Sequence, residues 1–214
     1  MGTEKLIIFG TDYMSRKLAA LAEQIGRLPS SIAFLSDQTG GEEEIDGIRV
    51  IQGSLDSAKQ IADNTSGRKP LFICGMGGTD NYTKRPQIIA ATGLPDDAFA
   101  TLIDPDARMG RLVDLSPGVA VFPYAVLYGN RIGKHSLIMP HVVMGVGASV
   151  GDFGIVGANA TIGDGAQVGN CVYLDAGSVI KQDSVIGNGA HFKEADGRVI
   201  FPSERAVRDS IRQL

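Results

Sequence analysis

The chain has 214 residues, 43% of them hydrophobic, and a net charge of −4. That is room for one large globular domain or two small ones, without the basic footprint of a nucleic-acid or anionic-membrane binder. No stretch reaches transmembrane length, and two isolated cysteines, Cys74 and Cys171, form neither a disulfide framework nor a zinc site, so both are expected as buried thiols of a cytoplasmic protein.

Residues 5–9 read as a short apolar strand, too short for the core of a secretory signal. After Gly10, residues 15–25 carry Leu18, Leu21, Ala22 and Ile25 on one helical stripe. Residues 31–35 form a second strand that closes on Ser36-Asp37. A glycine- and glutamate-rich loop follows, then a short extended excursion over residues 45–51 and a helix over 55–62. Residues 70–74 make a third strand, running into Gly75-Met76-Gly77-Gly78-Thr79. A helix over 84–92 and a fourth strand over 100–103 complete this part. Strands alternating with helices predict an α/β domain with a small parallel, Rossmann-like sheet over residues 1–105, bounded by Asp104-Pro105-Asp106.

From Tyr124 to Gly189 the texture changes to a six-residue rhythm. Its aliphatic position reads Val126, Ile132, Ile138, Met144, Val150, Val156, Ile162, Val168, Leu174, Ile180 and Ile186. At 43% hydrophobic composition, eleven successive hits arise by chance with a probability of about 10⁻⁴. Glycine often follows the aliphatic, where it is expected to supply turn conformations, and a small residue or Val precedes it by two. A period of six drifts around a helix of 3.6 residues per turn, so the repeat predicts a parallel β-helix over residues 106–195. Three hexads per coil give about 3.7 coils and about 18 Å of prism at ~4.8 Å per coil. Asp196-Gly197 reads as a turn, and residues 196–214, with Val207, Ile211 and Leu214 on one helical stripe, as a tail that caps the last coil.

Candidate site residues follow from this layout. The loop from Gly75 through Gly77 to Thr79 joins a strand to a helix, where backbone N–H groups can cradle a phosphate; a flexible connection is the plain alternative. Asp37 sits at the carboxyl end of a strand, where α/β folds bind ligands, and could equally be a helix cap or a solvated turn. Of three histidines, His135 and His141 occupy the same repeat position at outward corners, and His191 falls where the pattern fails, as a surface residue. If a histidine serves as base it is His141, with Asp164 in a later coil to orient it; otherwise it is a solvated corner residue. No metal is expected, because His135 and His141 lie on successive corners.

The Ile103-Asp104-Pro105-Asp106-Ala107 lead-in, the Val150-Gly151-Asp152-Phe153 hexad and the order of the two domains resemble the bacterial sugar acyltransferases typified by sialic acid O-acetyltransferase-like and bacillosamine N-acetyltransferase proteins. The resemblance spans nearly the whole chain. It implies a left-handed β-helix, a homotrimer, acetyl-CoA in the groove between prisms, and a nucleotide-linked sugar on the N-terminal domain. It further implies that the polar and basic residues opening the helix after the glycine loop, here Asn81, Lys84 and Arg85, contact a nucleotide held near Gly10, Asp37, Gly75 and Gly77; a solvated basic helix face is the plain alternative. A cofactor side at Ala176 and Gly177, with Asp164, would let pantetheine approach the backbone, although the repeat itself also asks for small residues there.

The departures are specific. The family's catalytic His-Asp pair aligns with Val146-Gly147, and a second family histidine with Ile155. The family's glycine- and histidine-rich first loop reads Gly10-Thr11-Asp12-Tyr13-Met14-Ser15, and its Gly-x-Pro-Ala segment reads Ile200-Phe201-Pro202-Ser203. A positioned base is worth roughly 10²–10⁴ in rate, so its loss weighs more against a sugar hydroxyl than against an amine already partly deprotonated. The sequence therefore predicts an acetyl-CoA-dependent N-acyltransferase on a nucleotide-linked amino sugar of surface-polysaccharide assembly. The alternative is a catalytically silent trimer that binds sugar nucleotide or acyl-CoA.

Overall fold

The computed structural model describes residues 4–38 and 41–193, and the backbone of residues 198–200. The N-terminal elements are β1 (Leu6–Phe9), α1 (Tyr13–Gln24), β2 (Ile32–Ser36), β3 (Glu44–Ile45), β4 (Ile48–Gln52), α2 (Ser57–Asn64), β5 (Leu71–Cys74) and α3 (Arg85–Ala91). The sheet runs β3-β4-β2-β1-β5; the last four are parallel and β3 is an antiparallel edge. Every residue of β1 is buried, as a strand covered on both faces requires.

Alternation assigns the two faces. Ile7 and Phe9 join Leu35, Phe72, Cys74 and Phe99 on one side. Leu6 and Ile8 join Leu18 and Leu21 of α1 on the other, in a core that continues without a break into Leu102, Ala120 and Leu137 of the second domain. Helix α1 starts two residues before the apolar stripe suggests, because the Asp12 carboxylate accepts from Ser15 N at 2.9 Å and caps it.

Two readings of the N-terminal half change. The excursion at 45–51 is a β3–β4 hairpin turned by Asp46-Gly47, both at positive φ, and β4 is a full strand of the sheet beside β2. The fourth strand is not part of this sheet. Leu102–Ile103 pairs with Ala120–Val121 and opens the prism, while Phe99 makes a single bridge to Phe72.

The second domain is a parallel β-helix of three faces. The described residues give it five complete coils and the first strand of a sixth: five strands on two faces, six parallel strands on the third. At ~4.8 Å per coil that is about 24 Å, longer than the strict repeat implies, because the coils begin at Leu102 rather than near Tyr124. The inward residues are buried as the rhythm predicts: Val150, Ile162 and Ile180 are at most 3% exposed. The smaller inward residues Ser136, Ala148, Ala160 and Ala166 are likewise buried.

The first hexad is out of phase. Leu127, not Val126, packs inside and pairs with Met144. Positive-φ corners fall at 112, 118 and 124, then at 129, 135, 141 and every sixth residue to 189. The coil is one residue short between Tyr124 and Gly129, and Met109, Leu115 and Val121 hold the same period before the slip. The glycines after the aliphatics are not at positive φ; their cause is packing. A Cβ on Gly145 would stand 2.5 Å from Asp164 N, and one on Gly163 at 2.5 Å from Gln182 N, both in the next coil.

Asp and Asn at those corners stitch the coils together. Asp152 Oδ1 accepts from Lys134 N, Asn170 Oδ1 from Asp152 N and Asn188 Oδ1 from Asn170 N, at 2.7–2.9 Å. The capping helix expected near the C-terminus lies outside the described residues; Arg198–Ile200 runs antiparallel to His191–Lys193.

Candidate functional site

The carboxyl ends of the parallel strands converge as an α/β ligand site should. Gly10 follows β1, Ser36-Asp37 follow β2, Gly53 follows β4 and Met76 follows β5. With Thr11, Asp12 and Gln38 they line a cavity of about 200 Å³. Asp37 is exposed on its rim and Gly10 lies in its floor, so these two predicted positions come together. Asp12, a lining residue that no sequence motif singles out, is held by its cap on α1.

The glycine loop serves packing more than ligand. A Cβ on Gly75 would collide with the Ser15 side chain of α1, and one on Gly77 would stand 2.8 Å from Arg85 Cδ. Gly75 N already donates to Phe9 O at 3.2 Å and Gly78 N to Asn81 Oδ1 at 2.7 Å. The loop therefore has two of its amides occupied, and Asn81 is its clasp.

Arg85 requires a correction. Expected on a nucleotide-facing or solvated helix surface, it is fully buried. Its Nη1 donates to Met76 O and its Nη2 to His135 O at 2.6 Å, so the guanidinium ties the loop after β5 to the prism. Nε is buried without a hydrogen bond. Two carbonyls rather than a carboxylate hold this cation, and no terminal nitrogen is left to reach a nucleotide.

His135 is also corrected. Its corner points outward from the prism, but the N-terminal domain covers it. The ring stacks on Phe153 (centroids 5.1 Å apart) and meets Phe99 edge-on at 4.6 Å. A Cβ on Gly118 would strike Nδ1, which has no hydrogen bond. Burial first, then the Arg85 cation, pushes the imidazole down to about 4. This neutral, enclosed ring is a structural wedge.

His191 is the third histidine and is not a plain surface residue. It lies in the last described parallel strand, His191–Lys193, on the prism face turned to the N-terminal domain. Its Nε2 is 2.6 Å from Asp175 Oδ1, and its ring packs edge-on against Tyr173 (5.2 Å) and Tyr82 (6.0 Å). The His191 side chain is 12% exposed and Asp175 33%, so the pair is partly open to solvent. Tyr82 donates to Gly189 O at 2.9 Å and is the residue after Asn81, which links the glycine loop to this pair. Burial pushes the Tyr82 phenol up to about 12, leaving a neutral donor.

His141 sits on the exposed corner after Ile138, stacked on Tyr124 at 4.9 Å. Asp164 does not orient it. The aspartate belongs to the next corner, where Oδ1 accepts from Val146 N at 2.8 Å. Ala176 and Gly177 form the corner beside Asp175. Gly177 is at φ 76 with its N donating to Ala158 O at 2.7 Å, and exposed Ala176 offers open backbone there. Val146 is 67% exposed on the corner between the two uncovered faces. A groove of about 540 Å³ runs along one of those faces, lined by Arg131, Ser149, Gln167 and Asn170 among others. Among the described residues, no group of three or more His, Cys, Asp or Glu is placed to hold a metal, and no helix is long and apolar enough to cross a membrane.

No protein-family model matches this sequence, and no curated protein matches it. Solved structures do. Perosamine N-acetyltransferase from Caulobacter crescentus, a point mutant in complex with CoA and GDP-perosamine, superposes with a TM-score of 0.65 at 15% identity, over 94% of this chain and 99% of that one. WeeI from Acinetobacter baumannii AYE superposes with a TM-score of 0.54 at 14% identity, over 92% of this chain and all of that one. Both domains are matched in each case, so the fold is a small α/β sheet domain seated on a left-handed hexapeptide β-helix.

Proposed function

We propose that the protein transfers an acetyl group from acetyl-CoA to the amine of a nucleotide-linked amino sugar. The observation that carries this reading is the joint likeness of both domains. The chain shares with perosamine N-acetyltransferase, seen with CoA and GDP-perosamine, a prism and a sheet domain covering 94% of its length. The cavity at Gly10, Asp37 and Gly53 is then the place for the nucleotide, whose ribose or base can hydrogen-bond to the Asp37 carboxylate.

The N-terminal domain covers one prism face through Leu102, Ala120, Leu137 and Ile155. Neighbouring prisms of a homotrimer would meet on the other two, where Val143, Val179 and Val185 are exposed, with acetyl-CoA between them and its pantetheine near Ala176 and Gly177. The amine attacks the thioester carbonyl and CoA leaves as the thiol. Holding the two substrates in register supplies much of the acceleration. The product would enter surface-polysaccharide assembly in the cytoplasm.

Thiol release from acetyl-CoA in the presence of GDP-perosamine and other GDP- and UDP-linked amino sugars tests the reading. The exposed Val146, without a titratable group, favours one second reading: a silent trimer that binds the same ligands. Binding of both substrates by calorimetry with no thiol release would establish it.

A further inference from the structure

Resting on the transferase reading, we infer that His191, oriented by Asp175, is the general base of this chain, 45 residues on from the corner where Val146 stands. The three histidines differ in what surrounds them. His135 is sealed between Phe99 and Phe153, with its carbonyl bound by Arg85. His141 lies flat on Tyr124 at an exposed corner. His191 is hydrogen-bonded to a carboxylate, at 2.6 Å.

That pairing decides the chemistry available. In the tautomer whose Nε2–H donates to Asp175, Nδ1 is the lone-pair acceptor, and the carboxylate stabilises the imidazolium that forms when it takes a proton. The ring cannot rotate freely, because Tyr82 and Tyr173 meet it edge-on. An imidazole held by a carboxylate and only partly buried, its side chain 12% exposed, is the arrangement a base needs.

The location suits the reaction. Asp175 adjoins Ala176 and Gly177, the proposed pantetheine corner. Tyr82 follows the loop that leaves β5 at the edge of the proposed nucleotide cavity. The pair therefore sits on the seam where a sugar extending from the sheet domain meets a thioester extending from the prism. The amine nitrogen forms a bond to the acetyl carbonyl carbon, its proton passes to His191 Nδ1, the C–S bond breaks, and the imidazolium proton goes to the departing CoA thiolate. The products are the N-acetyl sugar nucleotide and CoA thiol, with the base restored.

Asp175 is the positioning residue. Its main chain is fixed by N–H donation to Phe192 O at 3.0 Å and by its carbonyl accepting from Ser178 Oγ at 2.7 Å, so its carboxylate has a defined origin.

The test uses the full chain with acetyl-CoA and the same GDP- and UDP-linked amino sugars. Wild type, His191→Ala, His191→Gln, Asp175→Asn and Asp175→Glu are compared by thiol release, with thermal melting to verify folding. The expected result is a loss of kcat of about 10²-fold or more in both His191 variants, little change in KM for acetyl-CoA, and partial rescue of His191→Ala by imidazole in the buffer. Asp175→Asn should lose more than Asp175→Glu, as a merely space-filling residue would not. Should the histidine variants fail to fold, the wild-type ring is read by ¹⁵N NMR; a proton on Nδ1 instead of Nε2 overturns the proposal. A wild type that turns over beside equally active His191 variants overturns it while leaving the transferase intact. A wild type that releases no thiol with any acceptor removes both.

Discussion

Arg85 Nη2 donates to the main-chain oxygen of His135 at 2.6 Å, a bond between a helix of the sheet domain and a corner of the prism that is fully buried. Around it, Phe99 and Phe153 close on the His135 ring, and Lys134 pairs with Asp96 at 2.5 Å on the outer rim. Exposed pairs such as the last contribute little, so the buried guanidinium and the aromatic wedge hold the orientation of the two domains. Since the proposed site spans the seam, that orientation is also what aligns nucleotide and thioester.

Replacing Arg85 should therefore act on stability and on the seam together. Arg85→Ala leaves the carbonyls of Met76 and His135 without their donor and opens a cavity, at a cost of about 2–5 kcal/mol in a urea-unfolding measurement. Arg85→Lys should recover only part, because one ammonium cannot span two carbonyls as the guanidinium fork does.

His135 makes stability depend on pH. In the folded chain its imidazole is held down to about 4 from an ordinary 6.5, so between those values the unfolded chain binds a proton that the folded chain refuses. The contribution is fully present above 6.5 and is lost as pH falls toward 4, up to roughly 3 kcal/mol. Unfolding midpoints at pH 7, 5.5 and 4.5 should fall in that order, and His135→Gln should flatten the slope while being less stable at pH 7.

Two glycines two residues apart should respond differently to the same change. A Cβ on Gly145 meets Asp164 of the next coil, whereas one on Gly147 meets nothing within 4 Å, its constraint being φ 72. Gly145→Ala overpacks a backbone contact and should cost about 1–3 kcal/mol. Gly147→Ala should cost about 1–2 kcal/mol, and Gly147→Asn less, because Asn and Asp tolerate the left-handed region, as Asp183 does at the same corner two coils on and Asn159 at another corner. Thermal melting of the three variants checks the order.

Within the sheet domain, Asp37→Ala should weaken binding of a sugar nucleotide by about tenfold, the loss of one charged hydrogen bond, and leave CoA affinity unchanged. Calorimetry with GDP-perosamine and with CoA, each titrated alone, separates the two effects.

The prism was legible because inward burial in a β-helix obeys a period that no helix or hairpin shares, and Ile132 to Ile186 keep it without a break. The slip at Val126 was hidden because Leu127 beside it is equally aliphatic, so hydropathy could not tell which faced inward. Glycines such as Gly145 suggest conformational freedom in sequence, whereas their constraint is the neighbouring coil, a long-range fact that local sequence does not carry. Arg85 begins a seven-residue helix after Lys84, a context that suits a solvated basic face; only the docking of the prism buries it.

His191 could have been found. Paired coils place Tyr173 opposite His191, and Asp175 lies just beyond Tyr173 at the start of the following corner, so aligning hexads one coil apart brings the carboxylate beside the ring. The repeat weakens near His191, which masks that register.

The central claim is most directly tested by mixing the purified chain with acetyl-CoA and a panel of GDP- and UDP-linked amino sugars and following free thiol against N-acetylated product. The account predicts thiol release that depends on the amino sugar and matches product one for one. Release that is absent with every acceptor, or that proceeds equally with sugars carrying no amine, would contradict it.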